Sequence, residues 1–374
     1  MAPISVIPPP FSPGPSRGIG LCLCGGGITG AMYEVGCLAA LEESLEGFRA
    51  CDFDIFVGTS SGASVAAALA GGIDATRLYR ALLDPADDFF TLQRHHLLRF
   101  DGAEWKRMWG SALGAARHLV SSATSRPLAL DVWTELERFT DSLPAGIFTL
   151  DAYEEFYGNF MRRRGIPTSF SELPRTLRLV ANDLDAGERA VFGEGELADV
   201  SVPRAIVASS AIPILFAPVR IADRDFVDGG LGEIAHVDLA LDGGCDLVVV
   251  INPMVPITPD RKTRSVPTGH GRGQRIRDKG LLWVYNQSFR LRTEARFRKL
   301  LAEFREDHPE ARVLLLEPDQ DDATMFMYSP MNFAARRVIL EDGYRSTVRL
   351  LKAPGSPLRE AMVDKGLKLK DELA

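Results

Sequence analysis

No stretch of this chain holds the roughly 18–20 consecutive apolar residues that a membrane-crossing helix needs. Among the longest apolar runs, Ala205 to Val219 is broken by Ser209, Ser210, Pro213 and Pro218. Positive charge is not in excess. Lys and Arg number 43 against 50 Asp and Glu, for a formal net charge of −7. That removes any global electrostatic reason to expect a nucleic-acid partner. Cysteine is scarce and odd in number: Cys22, Cys24, Cys37, Cys51 and Cys245. Four of them fall within or beside apolar segments of the first strand–helix region. They read as buried free thiols of a reducing compartment, not as a disulfide framework. Cys22 and Cys24 share one face of a strand, yet no cluster of His or Cys completes a metal site around them. The opening residues, MAPISVIPPPFSPGPSRG, carry many prolines, no basic start and no continuous apolar core. They predict a flexible arm over residues 1–17 and not a secretory signal. The expected location is the cytoplasm, or the inner membrane surface as a peripheral protein.

What is present suits a large α/β domain. The chain has 374 residues, 46% of them apolar and 25% charged, enough for a sizeable core. Short runs rich in Val, Ile and Leu recur at Gly18–Cys24, Phe53–Thr59, Thr176–Asn182, Ala217–Phe226, Leu247–Asn252 and Arg312–Leu316. Strands buried on both faces read this way, and helical patterns between them predict parallel crossovers. The expectation is a three-layer α/β/α fold with a mostly parallel central sheet. The turn Asp185-Ala186-Gly187 predicts a hairpin between Thr176–Asn182 and Glu188–Phe192. Residues from about 74 to 168 lack good strand runs and hold Trp105, Trp109 and Trp133. They predict a helical insertion, a cap over one end of the sheet. The catalytic domain is expected over residues 18–255. Residues 256–374 then form a basic, Pro- and Gly-rich loop and helices over Lys279–Arg305 and Asn332–Leu351.

Two glycine-rich turns carry the chemistry. The first, GGGITG, matches G-x-G-x-x-G through Gly25, Gly27 and Gly30, as a dinucleotide-binding turn would. That reading needs an acidic residue at the end of the next strand, about 20 residues on, to hold a ribose. The next strand ends instead in GTSSG, and Asp52 and Asp54 open it. Free backbone N–H groups in such a loop serve equally to stabilise an oxyanion. The second turn, Gly58-Thr59-Ser60-Ser61-Gly62, matches G-x-S-x-G between a strand and a helix of small residues. That is the context of a nucleophile elbow with Ser60 at its apex. Both turns are expected to be neighbours at one edge of the sheet. A third element, Asp228-Gly229-Gly230, ends an apolar strand. Alone it is a common turn; beside an elbow, Asp228 becomes a candidate base or orienter for Ser60. Because a free aspartate is a weak base, Asp228 would need a desolvated cleft that raises its pKa. The neighbours Phe226, Val227 and Leu231 suit one.

In this order the three elements resemble the patatin-like phospholipase family. Ala181–Phe192 and Ala205–Val219 are similar to its central hairpin and to the segment before its aspartate strand, so the likeness spans about Ile19 to Pro253. The resemblance implies lipid acyl ester hydrolysis by a Ser60–Asp228 dyad without histidine, through an acyl-enzyme. Gly25, Gly26, Gly27 and Ile28 would form the oxyanion loop, Gly58 and Gly62 flank the elbow, and Gly229 and Gly230 complete the aspartate motif. It implies a lipid ester substrate and neither a metal nor an organic cofactor. The loop departs from the family at Thr29, where Arg or Lys is usual. That favours neutral glycerides or simple esters over phospholipids.

Three other readings fit parts of the pattern. A Ser–His–Asp hydrolase would follow the order Ser60, Asp228, then His236, His270 or His308. His95, His96 and His118 precede Asp228 and break that order. An acyltransferase would use the same nucleophile with an alcohol in place of water. A lipid-binding protein with a vestigial site would leave Ser60 unreactive. Residues 275–299 interleave six Arg and two Lys with Leu281, Leu282, Trp283, Tyr285 and Phe289. Such a helix can rest on a membrane surface, or pack its apolar face on the core and solvate its basic face. Phe89, Phe90, Leu97, Leu98 and Phe100 of the insertion are expected in the core or along an acyl channel.

Overall fold

The computed structural model describes residues 18–100, 102, 106, 110, 143–257, 266, 275–318 and 328–371. The arm over 1–17, the three insertion tryptophans, His118, and most of the polar loop with His270 lie outside the described residues. In chain order the elements are β1 (Gly18–Leu23), α1 (Gly27–Ser44), β2 (Ile55–Thr59), α2 (Ser61–Ala70) and α3 (Ala75–Leu83). Next come the short α4 (Arg94–Leu97), β3 (Gly146–Phe148), α5 (Asp151–Arg163), β4 (Thr176–Asp183) and β5 (Glu188–Phe192). Then follow α6 (Val202–Ser209), β6 (Ile214–Phe216), β7 (Val219–Ile221), β8 (Arg224–Asp228) and α7 (Val237–Asp242). The last are β9 (Cys245–Ile251), α8 (Leu281–Asp307), β10 (Arg312–Leu316), α9 (Arg336–Lys352) and α10 (Pro357–Asp364).

Strands β10, β9, β1, β2 and β4 lie side by side, each parallel to its neighbours. Side chains of a strand alternate between faces, and here both faces are apolar. Leu21, Leu23, Phe56, Val249 and Leu314 enter one core, against α1, α2, α6 and α9. Cys22, Cys24, Val57, Val248 and Val250 enter the other, against α7 and α8. The sheet is therefore the middle layer of three, as the short apolar runs of its strands predict. The five cysteines are free and buried. Among the described residues, no helix is long and apolar enough to cross a membrane.

The meeting of β2, β4 and β8 sets up the site. One edge of β4 pairs with β5 from Leu179 to Asp183. Its other edge pairs with β2 up to Thr59↔Val180, and then with antiparallel β8 from Ala181↔Asp228. The end of β2 and the end of β8 thus arrive at successive positions along the same edge. Residue 60 leaves β2 there, and residue 228 closes β8.

Two expectations are corrected. The run Ala217–Phe226 is not one strand. It forms β7 and β8, an antiparallel hairpin turning at Ala222, whose φ is 55°. The polar Ala222-Asp223-Arg224 break marks the turn. The insertion is also not wholly helical, since β3 within it pairs with β6 as a separate two-stranded sheet. A three-residue strand leaves too short an apolar pattern to separate from a loop.

Candidate active site

Ser60 stands between the last residue of β2 and the first of α2, with φ 56° and ψ −130°. A non-glycine residue there is strained, and the surroundings must hold it. Four hydrogen bonds do so through its backbone and its neighbours. The Ser60 N–H donates to Ser209 Oγ at 2.9 Å, and the Ser209 hydroxyl donates to the Val180 carbonyl at 2.5 Å. The Ser60 carbonyl accepts the Ser210 hydroxyl at 3.2 Å and the Ala63 N–H at 3.0 Å. The hydroxyl of Ser60 carries none of this load.

The two glycine-rich turns interlock. A Cβ on Gly62 would stand 2.6 Å from the Leu23 carbonyl oxygen, and one on Gly25 would stand 2.5 Å from that of Thr59. Neither contact admits a side chain. Gly58 lies within β2, paired with Leu23 of β1 and Leu179 of β4. The backbone turns at Gly25, Gly26 and Gly27 with φ of 75°, 110° and 71°, and α1 starts at Gly27.

The first N–H groups of a helix have no acceptor within it. Here the Gly25 N–H donates to Glu34 Oε1 at 2.7 Å, and the Thr29 N–H to the Pro330 carbonyl at 3.2 Å. The N–H groups of Gly26, Gly27 and Ile28 have no acceptor among the described residues. Glu34 is fully buried, and burial pushes its carboxyl well above the usual range, against the pull of the Gly25 N–H. Thr29, where the loop departs from the family pattern, is also buried and lines neither cavity described below.

Asp228 is 4% exposed and Ser60 6%. The Asp228 N–H donates to the Ala211 carbonyl at 3.0 Å, and its carbonyl accepts from Asn182 Nδ2 at 2.8 Å. Oδ1 accepts the Gly230 N–H at 2.8 Å, while Oδ2 has no partner of hydrogen-bond geometry among the described residues. Burial pushes the carboxyl up to about 6, and the Ser60 hydroxyl beside it and the Gly230 N–H pull the other way. The hydroxyl is thus near Asp228 without completing a bond to it. Contacts of this kind commonly tighten only when substrate is bound. Gly229, at the turn, has no room for a Cβ, which would stand 2.1 Å from the Val180 carbonyl oxygen.

Ser60, Asp228, Gly26 and Gly27 line one cavity of about 50 Å³, with Met254, Ile212, Tyr285, Phe289 and Pro330. A second cavity, of about 80 Å³, shares Gly27 and Ile212 with it. Its walls are apolar: Ile28, Met32, Val65, Leu78, Phe90 and Met331 among them, with Tyr153 tied by its hydroxyl to Ser64. Of the insertion residues expected in the core or along an acyl channel, Phe90 and Leu97 line this cavity. Phe89 packs on Phe160 under the guanidinium of Arg77, and Leu98 and Phe100 are exposed.

No histidine is among the described residues that line the Ser60 cavity. The His236 Nδ1 instead faces Glu233 at 3.6 Å and Arg189 at 3.5 Å. His308 ends α8, facing Glu310 at 3.8 Å. Glu233, His236 and Asp238 are close enough to share a metal ion, but Arg189 and Arg296 already engage both carboxylates.

Sequence reasoning assigned no part in the site to Glu34, Ser209, Ser210, Asn182 or Tyr285. Ser209, Ser210 and Asn182 fall within the two flanking stretches that carry the family likeness. Glu34 had a signal of its own: it is the one charged residue between Gly27 and Leu41, one turn past a glycine-rich loop.

Elbow, glycine loop and buried aspartate at the carboxyl end of a mostly parallel sheet define the patatin-like α/β class. The chain belongs to the patatin-like phospholipase family, whose model matches residues 21–241. An uncharacterised protein of Bacillus subtilis, YqhO, is 27% identical over 220 residues, 55% of this chain and 61% of that protein. The chain thus spans about three fifths of that relative's length. Among solved structures, VipD from Legionella pneumophila aligns over 96% of this chain and 69% of its own, at 15% identity and a TM-score of 0.39. The type III effector ExoU aligns over 94% and 65%, at 17% identity and a TM-score of 0.30.

Proposed function

We propose that this protein is a serine acyl hydrolase that cleaves carboxylic esters of acyl lipids through a Ser60–Asp228 dyad. The observation that carries the reading is the unused, buried Oδ2 of Asp228 beside a strained, backbone-held Ser60. Ser60 Oγ attacks the ester carbonyl carbon, and its proton passes to Asp228. The resulting oxyanion takes the free N–H groups of Gly26, Gly27 and Ile28, at the positive end of α1. The tetrahedral species expels the alcohol, which takes the proton from Asp228 and leaves an acyl-Ser60 ester. Water then attacks that ester with Asp228 as base, and Ser60 recovers its proton as the acid departs.

The apolar cavity is the natural seat of the acyl chain. Its volume of about 80 Å³ corresponds to about three water-sized groups, so a short chain fits without movement of the walls. No Lys or Arg is among the described residues lining the Ser60 cavity, which favours neutral acyl esters over a head group held by its phosphate. A panel of phospholipids, monoglycerides and short nitrophenyl esters tests the reading; no turnover of any of them would contradict it. Val65→Phe, which fills the second cavity one turn of α2 beyond Ser60, is expected to suppress cleavage of longer acyl chains selectively. Acetate esters should still turn over, and equal losses on all chain lengths would remove the acyl chain from this cavity.

Glu34 is assigned to hold the oxyanion loop in place. Glu34→Gln keeps an acceptor for the Gly25 N–H and is expected to retain most activity. Glu34→Leu leaves that buried N–H unpaired and lets the loop shift; kcat is expected to fall about 100-fold with little change in KM. A Leu variant with the kcat of the parent would show that the loop does not depend on it.

A further inference from the structure

Helix α8 presents two different faces. Asn286, Arg290, Thr293 and Phe297 turn inward, and Tyr285 and Phe289 reach the Ser60 cavity. Arg290 fastens the helix by donating to the carbonyls of Pro253 and Val255 at 3.0 and 2.7 Å. On the outward side, Leu281, Val284, Ser288, Leu291 and Ala295 recur at helical spacing and are exposed, Leu281 by 74%, Val284 by 42% and Leu291 by 55%. A helix that served only to cover the core would carry polar residues there.

The charge around this stripe opposes that of the whole chain. Arg275, Arg277, Arg292, Arg296 and Lys299 are exposed beside it, while the chain as a whole is at −7. Some of this charge is paired: Arg277 faces Asp278 at 3.7 Å, Arg296 binds Glu233 at 3.1 Å, Arg298 binds Glu294 at 2.7 Å and Lys299 binds Glu303 at 3.4 Å. With six Arg and two Lys against one Asp and one Glu, residues 275–299 still carry a surplus of positive charge. Across the cavity, Ile212 and Pro213 line the wall, and the next residue, Ile214, is 43% exposed at φ 72°. A β-branched residue in the left-handed region is strained, and at the edge of a site such strain is commonly functional. Two separate elements that line this cavity therefore also carry exposed apolar side chains.

We propose that the outward face of α8 docks on an anionic lipid surface, with Leu281, Val284 and Leu291 entering the interface and the basic fringe on the head groups. A basic amphipathic face of this kind binds by apolar burial together with attraction to anionic lipid. Docked so, the helix that lines the Ser60 cavity lies at the boundary from which an acyl lipid enters. The proposal rests on the acyl-hydrolase reading for the lipid it delivers, though not for the binding itself.

The test uses full-length protein carrying Ser60→Ala, so that the lipid is not consumed. It is expected to sediment with phosphatidylcholine vesicles containing phosphatidylglycerol, not with phosphatidylcholine alone, and to be released by high salt. Leu281→Glu with Leu291→Glu is expected to weaken sedimentation by about tenfold or more. In the active protein, the same pair should leave the unfolding midpoint and the hydrolysis of a soluble acetate ester unchanged. Sedimentation unaffected by the pair, or absent from anionic vesicles, would overturn the proposal. A dimer in solution that the pair dissociates would assign the stripe to a second copy and overturn it too. Vesicle binding without any ester hydrolysis would refute the catalytic reading alone and leave the docking surface standing.

Discussion

Ser60→Ala is expected to lower ester hydrolysis by about four to six orders of magnitude while leaving the fold intact. The reason is the way the elbow is held. Its strained turn is secured through the Ser60 N–H and carbonyl, by Ser209, Ser210 and Ala63, and not through the hydroxyl. Alanine keeps each of those bonds and removes only the nucleophile. The unfolding midpoint and circular dichroism spectrum should match those of the parent. Ser61, whose buried Oγ has no partner among the described residues, lines the apolar cavity and not the one that holds Asp228. Ser61→Ala is therefore expected to keep most activity. Hydrolysis surviving in the Ser60 variant would place the nucleophile elsewhere.

The second large effect is expected at Asp228. Its carboxyl ordinarily titrates near 3.8 and is pushed up to about 6 by burial. The base is the ionised form, so kcat/KM should fall about tenfold per pH unit below about 6. Asp228→Asn should abolish both the activity and that acid limb. Stability should move the opposite way. The native pKa lies above the unfolded one, so the native state holds this proton more tightly. The contribution of Asp228 to stability is undiminished below about pH 4, falls as pH rises to about 6, and stays low above it. By pH 7 the cost of burying the ionised group is roughly 2 to 3 kcal/mol at most. Asparagine carries no charge at any pH and keeps an acceptor for the Gly230 N–H. The variant should therefore unfold at the same or a higher temperature at pH 7 while its activity is lost. His236→Ala, by contrast, should retain turnover per folded molecule. Full activity in Asp228→Asn would refute the dyad.

Much of this was legible in the sequence because it rests on short-range rules. Strands buried on both faces reveal themselves as short apolar runs, and β1, β2, β9 and β10 are of that kind, whereas β4 is interrupted by Arg178 and ends in Asn182 and Asp183. The strand–turn–helix around Ser60 was legible because G-x-S-x-G between strand and helix is a local constraint. The geometry that joins the elements was not. Nothing in the residues around Asp228 says that β8 runs antiparallel along the edge of β4 that β2 has just left. That register, a product of long-range pairing, is what brings residue 228 to residue 60. Glu34 was missed for the same reason: its partner, the Gly25 N–H, is nine positions back and meets it only once the loop has turned. The basic aromatic segment at 275–299 was legible as a helix, but which side faced the core was set by Arg290, a charged residue that turns inward to bind the carbonyls of Pro253 and Val255.

The most direct test of the central claim is covalent. A fluorophosphonate ester reacts with an activated serine, losing fluoride as the serine oxygen bonds to phosphorus. Peptide mapping by mass spectrometry after such treatment is expected to place a single adduct on Ser60, absent from the Ser60→Ala protein and much slower to form in Asp228→Asn. Folded protein left unmodified, or modified at Ser61, Ser64 or any other residue in place of Ser60, would contradict the account.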